Sequence, residues 1–124
     1  MDKDFSFSHL LILMNIEDFR NYCITKNGTE ECFPFGEDTL VYKVHGKIFA
    51  ITGLDDDTFR VNLKCDPQYA LELRDEYAQI IPGWHMNKKH WNTVYFEDGL
   101  PEELLRKLID HSYDLIRKGK GIKR

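Results

Sequence analysis

The sequence has little that would tie a short chain together covalently or embed it in a bilayer. Only three cysteines occur among its 124 residues, Cys23, Cys32 and Cys65. An odd, widely spaced set without a CxxC pair argues against a disulfide framework and fits a reducing cytosol. No apolar run approaches the roughly 18–20 residues that a membrane span needs, so no membrane partner is expected. The stretch from Leu10 to Met14 is too short for a signal-peptide core, and no small-residue cleavage site follows it. A cytoplasmic location is therefore expected. Internal repeats, low-complexity tracts and a dividing linker are also missing. So are the GxSxG, P-loop and GxGxxG patterns of common catalytic and nucleotide sites. The five histidines, His9, His45, His85, His90 and His111, form no zinc-finger or HExxH pair. Neither a metal nor another cofactor is expected.

What is present is enough apolar material for one domain. Hydrophobic residues make up 42% of the chain, which rules out a disordered or collagen-like polymer. A domain of this length buries roughly two-thirds of its unfolded surface and needs no staple. The formal charge is −4, whereas nucleic-acid binders are usually basic. Arg117, Lys118, Lys120, Lys123 and Arg124 put five positive charges in the tail, which leaves −9 on the rest. We divide the chain into an N-terminal extension, 1–13, a domain, 14–118, and a basic C-terminal tail, 119–124. The extension is either part of the protein or the product of an upstream start codon.

Asn15 is a good N-cap, with Glu17 and Asp18 placed for the helix dipole, and Asn27-Gly28 predicts the end of that first helix. Glu30 to Asp38, with Pro34 and Gly36, reads as a loop. The period then switches to two. Strands are predicted over Leu40–Val44, Lys47–Thr52 and Thr58–Lys64, with His45-Gly46 as a two-residue hairpin turn and Asp55-Asp56-Asp57 as a second turn. Phe59, Val61 and Leu63 point to the core, while Arg60, Asn62 and Lys64 point away. Asp66-Pro67 starts a helix that runs to about Tyr77. Ile80 to Gly83 reads as a turn, and Trp84–Met86 with His90–Phe96 as a last strand pair around Asn87-Lys88-Lys89. A third helix follows Pro101, with the stripe Leu104, Leu105, Leu108, Ile109, Ser112 and Ile116. The fold class is α+β, an antiparallel sheet of about five strands with three helices in the order α-β-β-β-α-β-β-α.

The densest chemical cluster lies between Trp84 and Asn92. It holds two tryptophans, two histidines, two lysines and two asparagines. Indole faces stack on bases, lysines contact phosphate and amides read base edges. The same residue types suit an anionic small molecule, and they equally suit a hairpin whose indoles close the core and whose asparagines bond the turn. His85 and His90 are candidates for a general acid or base by residue type, but nothing pairs them with a nucleophile, so no catalytic residue is assigned and no enzyme is expected. Lys43, Lys47, Arg60 and Lys64 lie on or beside the meander, with Lys43, Arg60 and Lys64 on one side. The candidate binding set is Lys43, Lys47, Arg60, Lys64, His85, Asn87, Lys88, Lys89, His90, Trp91 and Asn92. A continuous basic strip across Lys43, Arg60, Lys64 and Lys88 would favour phosphate. A concave pocket at Trp91 would favour a protein or small ligand.

Two stretches together resemble the MmcQ/YjbR-like family. One is Phe33-Pro-Phe-Gly36 followed by Leu40-Val-Tyr-Lys-Val-His-Gly-Lys-Ile-Phe-Ala50. The other is Gly83-Trp-His-Met-Asn-Lys-Lys-His-Trp-Asn-Thr-Val94. Val61-Asn-Leu-Lys64 and a helix starting at Asp66-Pro67 lie between them in matching order. The similarity covers about Met14 to Lys118. It implies a CyaY-like α+β fold described as a double-wing DNA-binding motif, in small cytoplasmic bacterial proteins. By the match, His85, Asn87, Lys88, His90, Trp91 and Asn92 are hallmark positions, and Lys43 and Lys47 belong to the earlier motif. The resemblance transfers no catalytic residue. Together these readings set the expectation of a non-catalytic DNA-binding protein with a basic and aromatic surface. The alternative is a domain that binds a protein or a small anion without touching nucleic acid.

Overall fold

A computed structural model describes residues 14–119. The extension 1–13 and the tail beyond Gly119 lie outside the described residues. Helix α1 (Ile16–Ile24) opens on a reciprocal cap. The Asn15 side chain accepts from the Asp18 amide at 2.9 Å, and the Asp18 carboxylate accepts from the Asn15 amide at 3.2 Å. The helix stops at Ile24, earlier than Asn27-Gly28 predicts. Thr25 turns its hydroxyl back onto the Tyr22 carbonyl at 2.9 Å, a local bond that competes with helix continuation.

The expected loop from Glu30 instead begins with strand β1 (Glu30–Cys32), which pairs with β2 (Thr39–Val44). Tertiary bonds account for this edge strand, since paired glutamates have little strand preference. The ring of Tyr42 is fully buried, and its hydroxyl donates to the Glu31 carboxylate at 2.7 Å. Arg20 from α1 donates to the same carboxylate at 2.7 Å. The Arg20 hydrogen bond, joined by that of Tyr42, holds the Glu31 carboxyl below its ordinary range.

Strand β3 (Lys47–Gly53) follows the predicted two-residue turn, in which His45 and Gly46 both have positive φ, 54° and 75°. A bulge opposite Tyr42 and Lys43 turns both Phe49 and Ala50 into the core. Strand β4 (Arg60–Lys64) leads to α2 (Pro67–Glu76), capped by the Asp66 side chain. Next come β5 (Ile80–Pro82), β6 (Trp91–Tyr95) and α3 (Glu102–Gly119). The strands form one antiparallel sheet in the order β1-β2-β3-β4-β6-β5. The architecture is α+β with three helices among the described residues. It has six strands where about five were expected.

The added strands correct two expectations. Ile80–Pro82 is not a turn but the partner of β6, with Ile80 opposite Val94 and Pro82 opposite Asn92. Its proline is tolerated because β5 is an edge strand. Trp84–Met86 is not a strand; it turns back over the sheet.

The helices pack on one face. Helix α3 buries Leu105, Leu108, Ile109, Ser112, Tyr113 and Ile116 against β2, β3 and β4. The Ser112 hydroxyl accepts from the Lys64 amide at 2.9 Å and donates to the Phe49 carbonyl at 2.6 Å, stitching helix to sheet. Phe19 meets the rings of Tyr42, Phe59 and Phe96 edge-on or nearly so at 5.5–5.7 Å.

His111 on α3 accepts from the amide of Asp66, the cap of α2, at 3.1 Å, and stacks edge-on with Tyr69. Burial lowers its pKa, against an opposing pull from Asp66 and Asp114. The unfolded chain therefore binds this proton more readily than the fold does. The stabilisation is complete above about pH 6.5 and is lost as pH falls below it towards the folded pKa. Urea unfolding at about pH 7.5 and about pH 5.5 should show a loss of stability on acidification. His111→Gln, whose amide oxygen still accepts, should flatten that loss; an unchanged slope would remove His111 as its source.

Candidate functional site

The other face of the sheet carries no described helix. Register sets Val41, Ile51, Asn62 and Thr93 in a row across it. Lys43 and Ile48 lie towards one end with Lys64 and Trp91, while Arg60 and Tyr95 lie towards the other. Lys43, Arg60 and Lys64 thus share this face, as the alternation predicts. Lys47 pairs with Val44 at the hairpin tip and alternates to the opposite side.

The turn from Gly83 folds onto this face. The Gly83 amide donates to the Trp91 carbonyl at 2.8 Å. A Cβ on Gly83 would lie 2.7 Å from the Trp91 Cβ and 2.9 Å from its carbonyl oxygen, so only glycine fits. The Trp84 amide then donates to the Thr93 hydroxyl at 2.8 Å. That hydroxyl donates to Asn62, whose amide group reaches the Trp84 carbonyl at 3.4 Å. Hydrogen bonds to its backbone thus pin Trp84 over β4 and β6 and leave the residue 49% exposed. The guanidinium of Arg60 lies over the ring at 4.1 Å and 3.7 Å from Asp56. The His85 ring is 4.3 Å from that of Trp84, and its φ of 62° is left-handed.

The second half of the turn is held from inside. Asn87 accepts from the amides of Lys89 and His90 at 2.9 and 3.2 Å. Lys88 donates its ammonium to the Gly83 carbonyl at 2.7 Å. Arg74 on α2 donates to the Asn92 side chain at 2.7 Å and to the carbonyls of Lys88 and Trp91. Asn92 is buried and also donates to the Ala70 carbonyl at 3.5 Å. Asn87, Lys88 and Asn92 therefore build the turn. Lys89 and His85 stay exposed, His90 and Trp91 are half-buried, and the Lys64 ammonium lies 5.8 Å above the Trp91 ring. Arg74 is missing from the sequence-derived set. Its signal was position, since it follows Ala70 by one turn on the buried side of α2.

Lys43, Arg60, Lys64 and Lys88 form no continuous basic strip, because Arg60 lies at the other end of the face from Lys43 and Lys64 and the Lys88 ammonium, although exposed, is bonded to the Gly83 carbonyl. The concavity lies at Trp84 rather than Trp91. It is a cleft of about 520 Å³, floored by Ile51, Asn62 and Thr93 and walled by Trp84 and Phe35. Asp38, Asp55 and Asp56 line it together with Arg60. Burial pushes the Cys65 thiol up to about 12 and raises the Cys23 thiol as well, which disfavours the thiolate at both.

Residues 24–115 match the YjbR family. The chain belongs to this family. It is 44% identical over 90 residues to the uncharacterized protein YbdF of Escherichia coli O157:H7, covering 73% of this chain and 74% of that one. Identity to the uncharacterized protein YjbR of Escherichia coli K12 is 33% over 100 residues, 81% of this chain and 85% of the relative. The crystal structure of Deinococcus radiodurans protein DR2400, with its DUF419 domain, superposes with a TM-score of 0.79 at 39% identity. That match covers 89% of this chain and 83% of the other. No helix among the described residues of this YjbR-family chain is long and apolar enough to cross a membrane.

Arg74→Met keeps the aliphatic stem and removes the donors to Asn92, Lys88 and Trp91. It should cost about 2–3 kcal/mol in urea unfolding. A change below about 0.5 kcal/mol would show that Arg74 does not organise the turn.

Proposed function

We propose that this YjbR-family chain is a non-catalytic binding protein whose recognition surface is the helix-free sheet face, and that its partner is another protein. The cleft between Phe35 and Trp84 carries this reading. Phe35 is 64% exposed, and Phe33 and Leu54, in the adjoining segments, are exposed as well. Clustered exposed aromatics beside a preformed concavity suit a macromolecular interface. The backbone bonds on Trp84 favour binding further, because a pre-set loop loses little entropy on association. A cytoplasmic location belongs to the same proposal, supported by three free cysteines and the bacterial relatives.

DNA binding is the second reading, favoured by Lys43 and Lys64 at one end of the same face and by exposed Lys89. The three aspartates along the cleft weigh against a phosphate backbone lying across the whole face.

A photo-crosslinking amino acid placed at Phe35, at Lys64 and at Leu71, an exposed control on α2, distinguishes the readings in bacterial cells. We expect a discrete, nuclease-resistant adduct from position 35 only. Nuclease-sensitive adducts from position 64 would move the function to DNA. Equal adducts from positions 35 and 71 would remove the cleft as an interface.

A further inference from the structure

We infer that the cleft selects a cationic stretch of its partner, an extended segment bearing lysine or arginine beside an apolar side chain. This rests on the protein-binding reading above and names the chemistry of that partner. Three carboxylates, Asp38, Asp55 and Asp56, line the cleft against one guanidinium, that of Arg60. Asp56 faces Arg60. Among the described residues, Asp38 and Asp55 have no ion-pair partner, and both are exposed. Two carboxylates are thus available to an incoming cation, and an anionic segment would meet like charge at close range.

The aromatic wall adds an independent preference. Arg60 already stacks on Trp84 at 4.1 Å beside Asp56. The protein thus shows within itself how a guanidinium is held between indole and carboxylate. The exposed part of that indole and the ring of Phe35 offer similar faces to a second cation. A free amine would fill only the carboxylate end and leave Phe33, Phe35 and Leu54 in water. A peptide segment covers both. The floor is a sheet face, so an extended segment lying across it can place alternate side chains downwards.

The test is selection from a display library of random dodecapeptides on the full chain, with Trp84→Ala and the double variant Asp38→Asn, Asp55→Asn as comparisons. Both aspartates are exposed, and the Asp38 contact to the Leu54 amide is through its backbone carbonyl, so the double variant should melt like the parent. Peptides that depend on Trp84 should be enriched in lysine or arginine next to apolar residues. They should bind the double variant at least about tenfold more weakly. Enrichment of acidic or uncharged peptides that still depend on Trp84 would overturn cation selection and leave the protein-binding reading standing. Full binding by the double variant would do the same. If no selected peptide depends on Trp84, both readings fall.

Discussion

One hydroxyl organises the helix-free face of this protein. Thr93 accepts from the Trp84 amide and donates to Asn62, whose amide group returns to the Trp84 carbonyl. The ring of hydrogen bonds closes across β4, β6 and the turn that follows β5. It holds a half-exposed tryptophan above a sheet that would otherwise be flat on this side. Arg74 completes the clamp from beneath by bonding the far half of the turn to α2. The cleft exists because both groups hold one short segment in place, and Gly83 is the residue that lets the segment approach Trp91 closely enough.

The two faces of the sheet divide the labour. One is an apolar layer under α3, stitched by Ser112 and filled by Phe19, Tyr42, Phe49 and Phe96. The other is polar in its floor, aromatic at its walls and split in charge along its length. Lysines 43 and 64 sit towards one end and aspartates line the cleft at the other. This separation is how the sheet face of an acidic chain presents Lys43, Arg60 and Lys64 without joining them into one continuous strip. The aromatic walls, Trp84 and Phe35, stand over the end of the face where the aspartates lie.

The meander was legible because alternation flips every side chain with each residue, and Val61 and Leu63 leave no choice of face. The caps at Asn15 and Asp66 were legible because capping is local chemistry. Strands β1 and β5 were not. Each is three residues long, one carries two glutamates and the other ends in proline, and each is made a strand by its neighbour and not by its own preference. The roles of the two tryptophans were also hidden. Both lie in the same dense cluster, and only the pairing of β6 with Ile80–Pro82 moves Trp84 off the strand and into the cleft wall. The structural role of Asn92 and the course of the turn at Lys88 depend partly on Arg74, about 14 to 18 residues away in sequence, where no motif could show it.

Amide hydrogen exchange at Trp84 tests the central claim most directly. Trp84 lies in a turn and its side chain is half exposed, so an unpinned amide would exchange at loop rates within seconds to minutes. The account predicts protection comparable with that of the β6 amides, and loss of that protection in Thr93→Val while the β6 core stays protected. Loop-like exchange of the Trp84 amide in the parent protein would contradict it, because a cleft whose wall moves freely is not a preformed binding surface.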